Sequence, residues 1–315
     1  MPVIGIDLGG TNIQAAVVDA QWRIVGRAHR RTQPADGQDA VIGRIAEAVH
    51  EACGDGGVKL ASIEAIGIGA PAPVDRASGK ILRAPNLGWT DVPLAWLLRE
   101  RLDRPVHIDN DVRVATLGEH RLGAGRGCDD LIGIWLGTGI GGGLILGGKL
   151  HAGPAFTGGE IGQTLLFPGA PKGQRSFEDF CSRRAVVARL AARIRSGEPS
   201  SITSDDPEAL SAEHLAKAVT AGDSLATHVV DEAAHLIGYV AANAVTLLGL
   251  GRVILGGGLS EALGDALITR VRRSIEHHAF YRTCREVDVR LTGLSSTAGL
   301  LGAAIMARES AGRVV

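Results

Sequence analysis

Asp7, Gly9, Gly10, Thr11 and Asn12 form one short polar cluster, and Gly137, Thr138 and Gly139 form another. Each follows an apolar run, "VIGIDL" in the first case and "LIGIWL" in the second. Successive backbone N–H groups with no Cβ in the way make an anion-binding concavity, so either turn can hold phosphate. Thr11 and Thr138 each add a hydroxyl. Asp7 can attract Mg²⁺ or its water shell, whereas Trp135, at the matching place in the second phrase, cannot. Its simpler role is that of a strand-end carboxylate. Further along, "PVHI" stops at Asp109, Asn110 and Asp111. Asp111 stands where a strand gives way to a helix, and it can act as a general base or cap that helix. Residue types alone leave both open.

These clusters need elements to position them. Ile4, Gly5, Ile6, Leu8 and Gly9 match Ile132, Gly133, Ile134, Leu136 and Gly137, so the phrase is written twice. The first copy continues through "NIQAAVVD" and "RIVGRAHR" as a meander of strands. Residues 39–53 carry apolar side chains at helical spacing, with Asp39 as the expected cap. "IEAIGIGAPAPVD" reads as a strand entering turns, "LAWLLRERL" as a short helix, and "DVRVATLGEHRLG" as another. After "GAGRGCDD" the meander restarts. A basic amphipathic helix over 182–195 places Arg183, Arg184, Arg189 and Arg193 on a solvated face. "SGEPSSITSDDPE" reads as a loop, 211–249 as two helices, "RVILGGGLS" as a strand entering a glycine turn, and "TAGLLGAAIMARES" as a closing helix. A repeat separated by more than a hundred residues points to a duplicated domain rather than a solenoid. The expected division is 1–117, with a C-terminal helix at 297–315 packing back on it, and a larger domain over 118–296.

Gly137, Gly139 and Gly142 also satisfy G-x-G-x-x-G, but a dinucleotide fingerprint requires a helix directly afterwards. Here "GGLILGGKLH" follows, which favours two antiparallel strands around the turn.

Composition narrows the classes. The 315 residues suffice for two cores, with 45% hydrophobic residues, 3% aromatics and 44 glycines. A formal charge of −1 gives no general attraction for nucleic acid or anionic lipid. No secretory signal or membrane-spanning run is legible, so a cytoplasmic protein is expected. Cys53, Cys128, Cys181 and Cys284 lie far apart and suggest reduced thiols.

Five phrases in order, "IGIDLGGTNIQAAVVD", "APNLGWTDVPL", "IDNDVRVATLGE", "GTGIGGGLILGGKLHAGPAFTGGEIGQ" and "VILGGGLS", resemble the ROK family (repressors, open reading frames and kinases) over essentially the whole chain. The resemblance implies two actin-like (ribonuclease H-like) α/β domains with a cleft in which sugar and ATP meet, and transfer of the γ-phosphoryl group to a sugar hydroxyl. It implies Asp111 as the base, and sugar contacts from Asn86, Asn110, Glu160 and Glu178. Gly69 could let the backbone approach the sugar. The first turn, Asp7 to Asn12, would serve ATP and Mg²⁺, with Gly137, Thr138 and Gly139 on the donor phosphates. Gly257 and Gly258, in the Gly256–Gly258 turn, would pack against adenosine.

Departures from the family pattern are specific. Gln163 stands where zinc-binding members have histidine, and "PGAPKGQRSFEDFCSRRAV" lacks the three cysteines of their later motif. Without thiolates or histidine a tetrahedral site cannot form, so no zinc is expected. Either Gln163 replaces the histidine as a sugar contact, or the pocket favours another polyol. Glucose is the expected acceptor, with fructose, mannose, allose, an N-acetylhexosamine or a cyclitol as alternatives. A few members of the family use polyphosphate as donor. A sugar-sensing repressor is not expected, since only Met1 to Val3 precede the first strand. An actin-like chaperone or filament ATPase would not need "APNLGW" or "GGEIG". No nucleic-acid or membrane partner is expected, and the protein is expected to form a homodimer.

Overall fold

A computed structural model describes residues 1–202 and 210–312. The chain divides into two compact units, Met1–Arg126 with Leu150–Gly158 and Ser296–Val315, and Gly127–Lys149 with Gly159–Ser295. The expected boundary at 117 falls inside a continuous helix, so the division comes later. Residues from 203 in the loop expected over 196–208, and 313–315 of the closing segment, lie outside the described residues.

The first unit opens with β1 (Val3–Leu8), β2 (Asn12–Val18) and β3 (Ile24–Arg31), followed by α1 (Gln38–Asp55). Val41, Ile42, Ile45, Ala48, Val49 and Ala52 recur at helical spacing and are buried, which fixes the face of α1 that packs on the sheet. Its cap is Gly37, at φ 90°, not Asp39, which sits in the first turn and pairs with Arg101. There follow β4 (Ile66–Ala70), a small antiparallel sheet of β5 (Val74–Asp75), β6 (Lys80–Ala84) and β7 (Trp89–Val92), then α2 (Leu94–Leu102), β8 (Val106–Asn110) and α3 (Asp111–Leu122). The main sheet has the order β3-β2-β1-β4-β8, an antiparallel meander joined to two parallel strands.

The second unit repeats this plan. β9 (Leu131–Leu136), β10 (Ile140–Leu146) and β11 (Lys149–His151) form its meander. Helices α4 (Phe177–Cys181), α5 (Arg183–Arg195), α6 (Ala212–Thr220) and α7 (Ser224–Leu248) precede β12 (Arg252–Gly256). Then come α8 (Gly258–Leu263), α9 (Asp265–His278), α10 (Arg282–Arg285) and β13 (Asp288–Leu291). Its sheet order, β11-β10-β9-β12-β13, is that of the first sheet strand for strand, as a duplicated domain requires. The turn after β9 joins antiparallel strands, so no dinucleotide fingerprint is present there.

The last helix, α11 (Ala298–Ala311), belongs to the first unit and lies against β1, β4 and α3. Backbone meets backbone along this contact. A Cβ at Gly67 would overlap the Ala303 carbonyl, and one at Gly302 would overlap that of Val114. Overpacking of this kind costs about 1–3 kcal/mol, so Gly67→Ala is expected to lower stability by about that amount in a denaturant titration. An unchanged midpoint would contradict the close packing of α11. Among the described residues no helix is long and apolar enough to cross a membrane.

Candidate active site

In the first unit three parallel strands end side by side. Asp7 on β1 is in register with Gly69 on β4, and Gly69 with Asp109 on β8. Open α/β sheets hold ligands outside these carboxyl ends. The first glycine turn is closed by Gly9 N–H donating to the Asn12 carbonyl at 2.8 Å. Thr32, fully buried, braces it twice: its hydroxyl donates to the Gly9 carbonyl at 2.7 Å and its N–H to that of Thr11 at 2.9 Å. The Asn12 side-chain oxygen accepts from Arg31. Asn86, in the short turn Pro85–Leu87 between β6 and β7, lies over this loop, since a Cβ on Gly10 would come 3.1 Å from its own Cβ. Burial pushes the Asp7 carboxyl above the ordinary carboxylate range. Among the described residues no hydrogen bond or ion pair neutralises it, and its Oδ2 lies 3.3 Å from where a Cβ on Gly299, in the first turn of α11, would stand.

Asn110, not Asp111, caps α3. Its side-chain oxygen accepts from the Val112 and Arg113 N–H groups at 3.0 Å each, and its amide nitrogen donates to Asp111 Oδ1 at 2.9 Å. Asp111 is the first helical residue, half-buried, with Oδ1 also accepting from Val112 N–H at 2.8 Å. The cap role that competed with a base role is therefore filled by its neighbour. Beneath them Asp109, fully buried, accepts from Asn110 N–H and pairs with Arg76 at 3.1 Å and with Arg113. Arg113 also donates to the Phe156 carbonyl at 2.8 Å. A buried pair of this kind locks its surroundings, because losing either partner strands a charge. The space a side chain on Gly69 would take is filled by Val114 Cγ2 at 2.6 Å and Asp111 Cα at 3.2 Å. Its smallness thus admits the start of α3 rather than leaving room for a sugar.

In the second unit the glycine turn is one residue tighter: Leu136 pairs with Ile140, where Leu8 pairs with Ile13. Gly137 N–H donates to the Gly139 carbonyl at 2.9 Å. Glu178 on α4 braces the far side, its Oε2 accepting from Ile140 N–H at 2.6 Å and occupying the space beside Gly139. The "GGEIG" segment lies flat on β10, because Gly142 and Gly162 leave no side chain between it and the strand. Glu160 and Gln163 are thereby brought to the same end of β10 as Glu178, and the Gln163 side chain is exposed. Trp135, the counterpart of Asp7, is in register with Gly256, and a Cβ there would stand 2.7 Å from its ring. Gly257, at φ 84°, packs on the Leu136 backbone, so the Gly256–Gly258 turn adjoins the Gly137–Gly139 turn. Beside Thr138 opens a cavity of about 490 Å³, whose walls include Val187, Ala188, Ala191 and Leu210 with Arg183 and Arg184.

A model of the ROK family matches residues 3–310. The chain belongs to the ROK family. Glucokinase of Streptomyces coelicolor is 34% identical, the match covering 97% of each chain. Glucokinase of Halalkalibacterium halodurans is 31% identical over 97% of this chain and 94% of its own. The crystal structure of a ROK family glucokinase from Streptomyces griseus, in complex with glucose and AMPPNP, is 32% identical, covers 98% of this chain and 100% of its own, and superposes with a TM-score of 0.84. The two-domain ROK sugar-kinase fold is thus the fold of this chain.

This ROK chain secures its "PGAPKGQRS" segment without thiolates. Leu165 bridges Ser176, Leu166 and Phe167 N–H groups donate to the Arg175 carbonyl, and Phe167 stacks edge-on against Phe180 at 5.0 Å. Burial pushes the Cys181 thiol up to about 12, and its Sγ donates weakly to the Ala233 carbonyl, so it offers no thiolate ligand. Thr32, Asp109 and Arg113 were not singled out by sequence. For Asp109 and Arg113 the i, i+4 spacing was a signal; for Thr32 there was none. The expected solvated arginine face of α5 holds for Arg184, which is exposed, and is corrected for the other three. Arg189 donates to the Phe180 carbonyl, Arg193 pairs with Glu198, and Arg183 is bonded to Thr138.

Proposed function

We propose that the protein is an ATP-dependent hexokinase that converts glucose to glucose 6-phosphate. The observation that carries this is the placement of Asp111 and Asn110 at the end of β8, in the same row of strand ends as Asp7 and the first glycine turn. Phosphoryl transfer needs a base near the attacking hydroxyl and positive charge along the phosphates, with water excluded as a rival acceptor. Asp111 is that base. It accepts the proton of the sugar hydroxyl as the oxygen attacks the γ-phosphorus and the bond from that phosphorus to the β,γ-bridging oxygen breaks, ADP leaving. The Asn110 amide holds the Asp111 carboxylate in place. Asn86, Asn110, Glu160 and Gln163 orient the remaining hydroxyls, and Glu178 joins them through the carboxylate that steadies the second turn. The N–H groups of both turns receive phosphate oxygens.

Asp7 fits a hydrated Mg²⁺, being a carboxylate that no basic side chain neutralises among the described residues, next to a phosphate turn. Bound there, the ion would offset the charge of the ATP phosphates. We place the enzyme in the cytoplasm as a homodimer without zinc.

A panel of hexoses and cyclitols with ATP and Mg²⁺, read by ADP release, tests the reading. Glucose should give the highest kcat/KM. Faster turnover of another sugar would reassign the acceptor and trace to Gln163. No turnover with any of them would overturn the kinase proposal.

A further inference from the structure

The Gly137–Gly139 turn is held by a residue that also reaches the cavity beside it. Arg183 opens α5, which Ser182 caps through its hydroxyl, accepting from Ala185 N–H at 3.3 Å. The Arg183 N–H donates to the Gly137 carbonyl at 2.9 Å, and its Nη2 donates to the Thr138 hydroxyl at 3.2 Å. Main chain and side chain are therefore both tied to one turn. Between these ends the aliphatic stem passes the other turn, since a Cβ on Gly258 would lie 3.5 Å from Arg183 Cδ. Arg183 thus spans both glycine turns of its unit and forms part of the wall of the 490 Å³ cavity.

A cavity of this size accommodates a nucleoside. Its apolar wall, Val187, Ala188, Ala191 and Leu210, suits a base, and its polar rim is cationic. A guanidinium carries five donors in a planar fork that matches a phosphate group, and Thr138 uses one of them. Among the described residues no carboxylate forms an ion pair with Arg183. Among the described residues the Arg183 charge does reach Glu213, whose carboxyl is held low chiefly by the Ser211 hydroxyl, with the Arg183 charge contributing less.

We propose that Arg183 is a donor-binding residue, its guanidinium contacting the phosphate chain of the nucleotide from the rim of the cavity opposite the backbone N–H groups of the Gly137–Gly139 turn. This rests on the reading that the turn receives the donor phosphates. It makes the first turn of α5 part of the nucleotide site and gives Arg183 a part in choosing a phosphorylated ligand over a bare nucleoside.

Calorimetric binding of ADP and of adenosine to wild type, Arg183→Met and Arg183→Lys tests it. Methionine keeps the stem over Gly258 and removes the fork, whereas lysine keeps the charge. ADP affinity should fall about tenfold in Arg183→Met and less in Arg183→Lys, as the loss of a charge-assisted phosphate contact requires. Adenosine affinity should not change, and in steady state KM for ATP should rise with KM for sugar unaltered. Equal weakening of ADP and adenosine would mean that Arg183 only shapes the cavity, and unchanged ADP affinity would mean that it touches no phosphate; either overturns the inference while leaving the kinase reading intact. A wild-type protein that binds no ADP would remove the donor-site reading itself, and this inference with it.

Discussion

Asp111→Ala is expected to lower kcat for glucose phosphorylation by about 10²–10⁴, the usual size of general base catalysis, with KM for ATP little changed. The fold should survive. Asn110 carries the α3 cap through its own side chain, and the buried charges of Asp109, Arg76 and Arg113 lie beneath rather than through Asp111. Asp111→Asn separates the two roles further, because an amide keeps an oxygen for the Val112 N–H but cannot take a proton. A similar loss in both variants identifies a base. Near-normal turnover in a folded Asp111→Ala protein would remove Asp111 from the chemistry.

Asp7→Asn is expected to move stability and activity in opposite directions. Burial raises the Asp7 carboxyl from its unfolded value of 3.8, so the neutral form is the one the fold favours. For a raised carboxyl the stabilising contribution is complete below the unfolded value and is lost as pH rises through the folded one. At neutral pH, well above the unfolded value, the stabilising contribution is therefore reduced or lost and burial of the carboxyl works against the ligand-free fold, which asparagine relieves. The variant should melt above wild type at neutral pH, and the two should converge as pH falls below 3.8. Turnover should fall by about 10²–10³, the scale seen when one preorganised electrostatic group is removed from an active site. Added Mg²⁺ and ADP should raise the melting temperature of wild type more than that of Asp7→Asn. A variant less stable than wild type without ligand would show that Asp7 serves the fold instead.

The doubled phrase was legible because its constraints are local. Gly9, Gly10 and Gly139 sit where backbone, Asn86 or Glu178 comes too close for a side chain, and a reader of the sequence sees such needs as glycine. Strand C-termini were legible for the same reason, as "HIDND" changes from apolar to polar within five residues. Features that depend on partners remote in sequence were not. Asp39 resembles a cap, yet Gly37 takes that place at a backbone angle glycine adopts easily, and Asp39 pairs instead with Arg101. Gly69 resembles a ligand-approach glycine, and only the path of α3 shows Val114 and Asp111 filling its space. Arg183 resembles its exposed neighbour Arg184 until α5 is set beside the turn at Gly137. Asp7 and Trp135 show both sides of this. The matched register was readable, while the use made of it, a carboxylate beside Gly69 and an indole on Gly256, required the folded sheets.

The most direct test of the account is the identity of the product. Purified protein with glucose, ATP and Mg²⁺, followed by ³¹P NMR, should show a phosphomonoester at the sugar 6-hydroxyl appearing in step with ADP. Inorganic phosphate without a sugar ester, or no consumption of ATP, would contradict it.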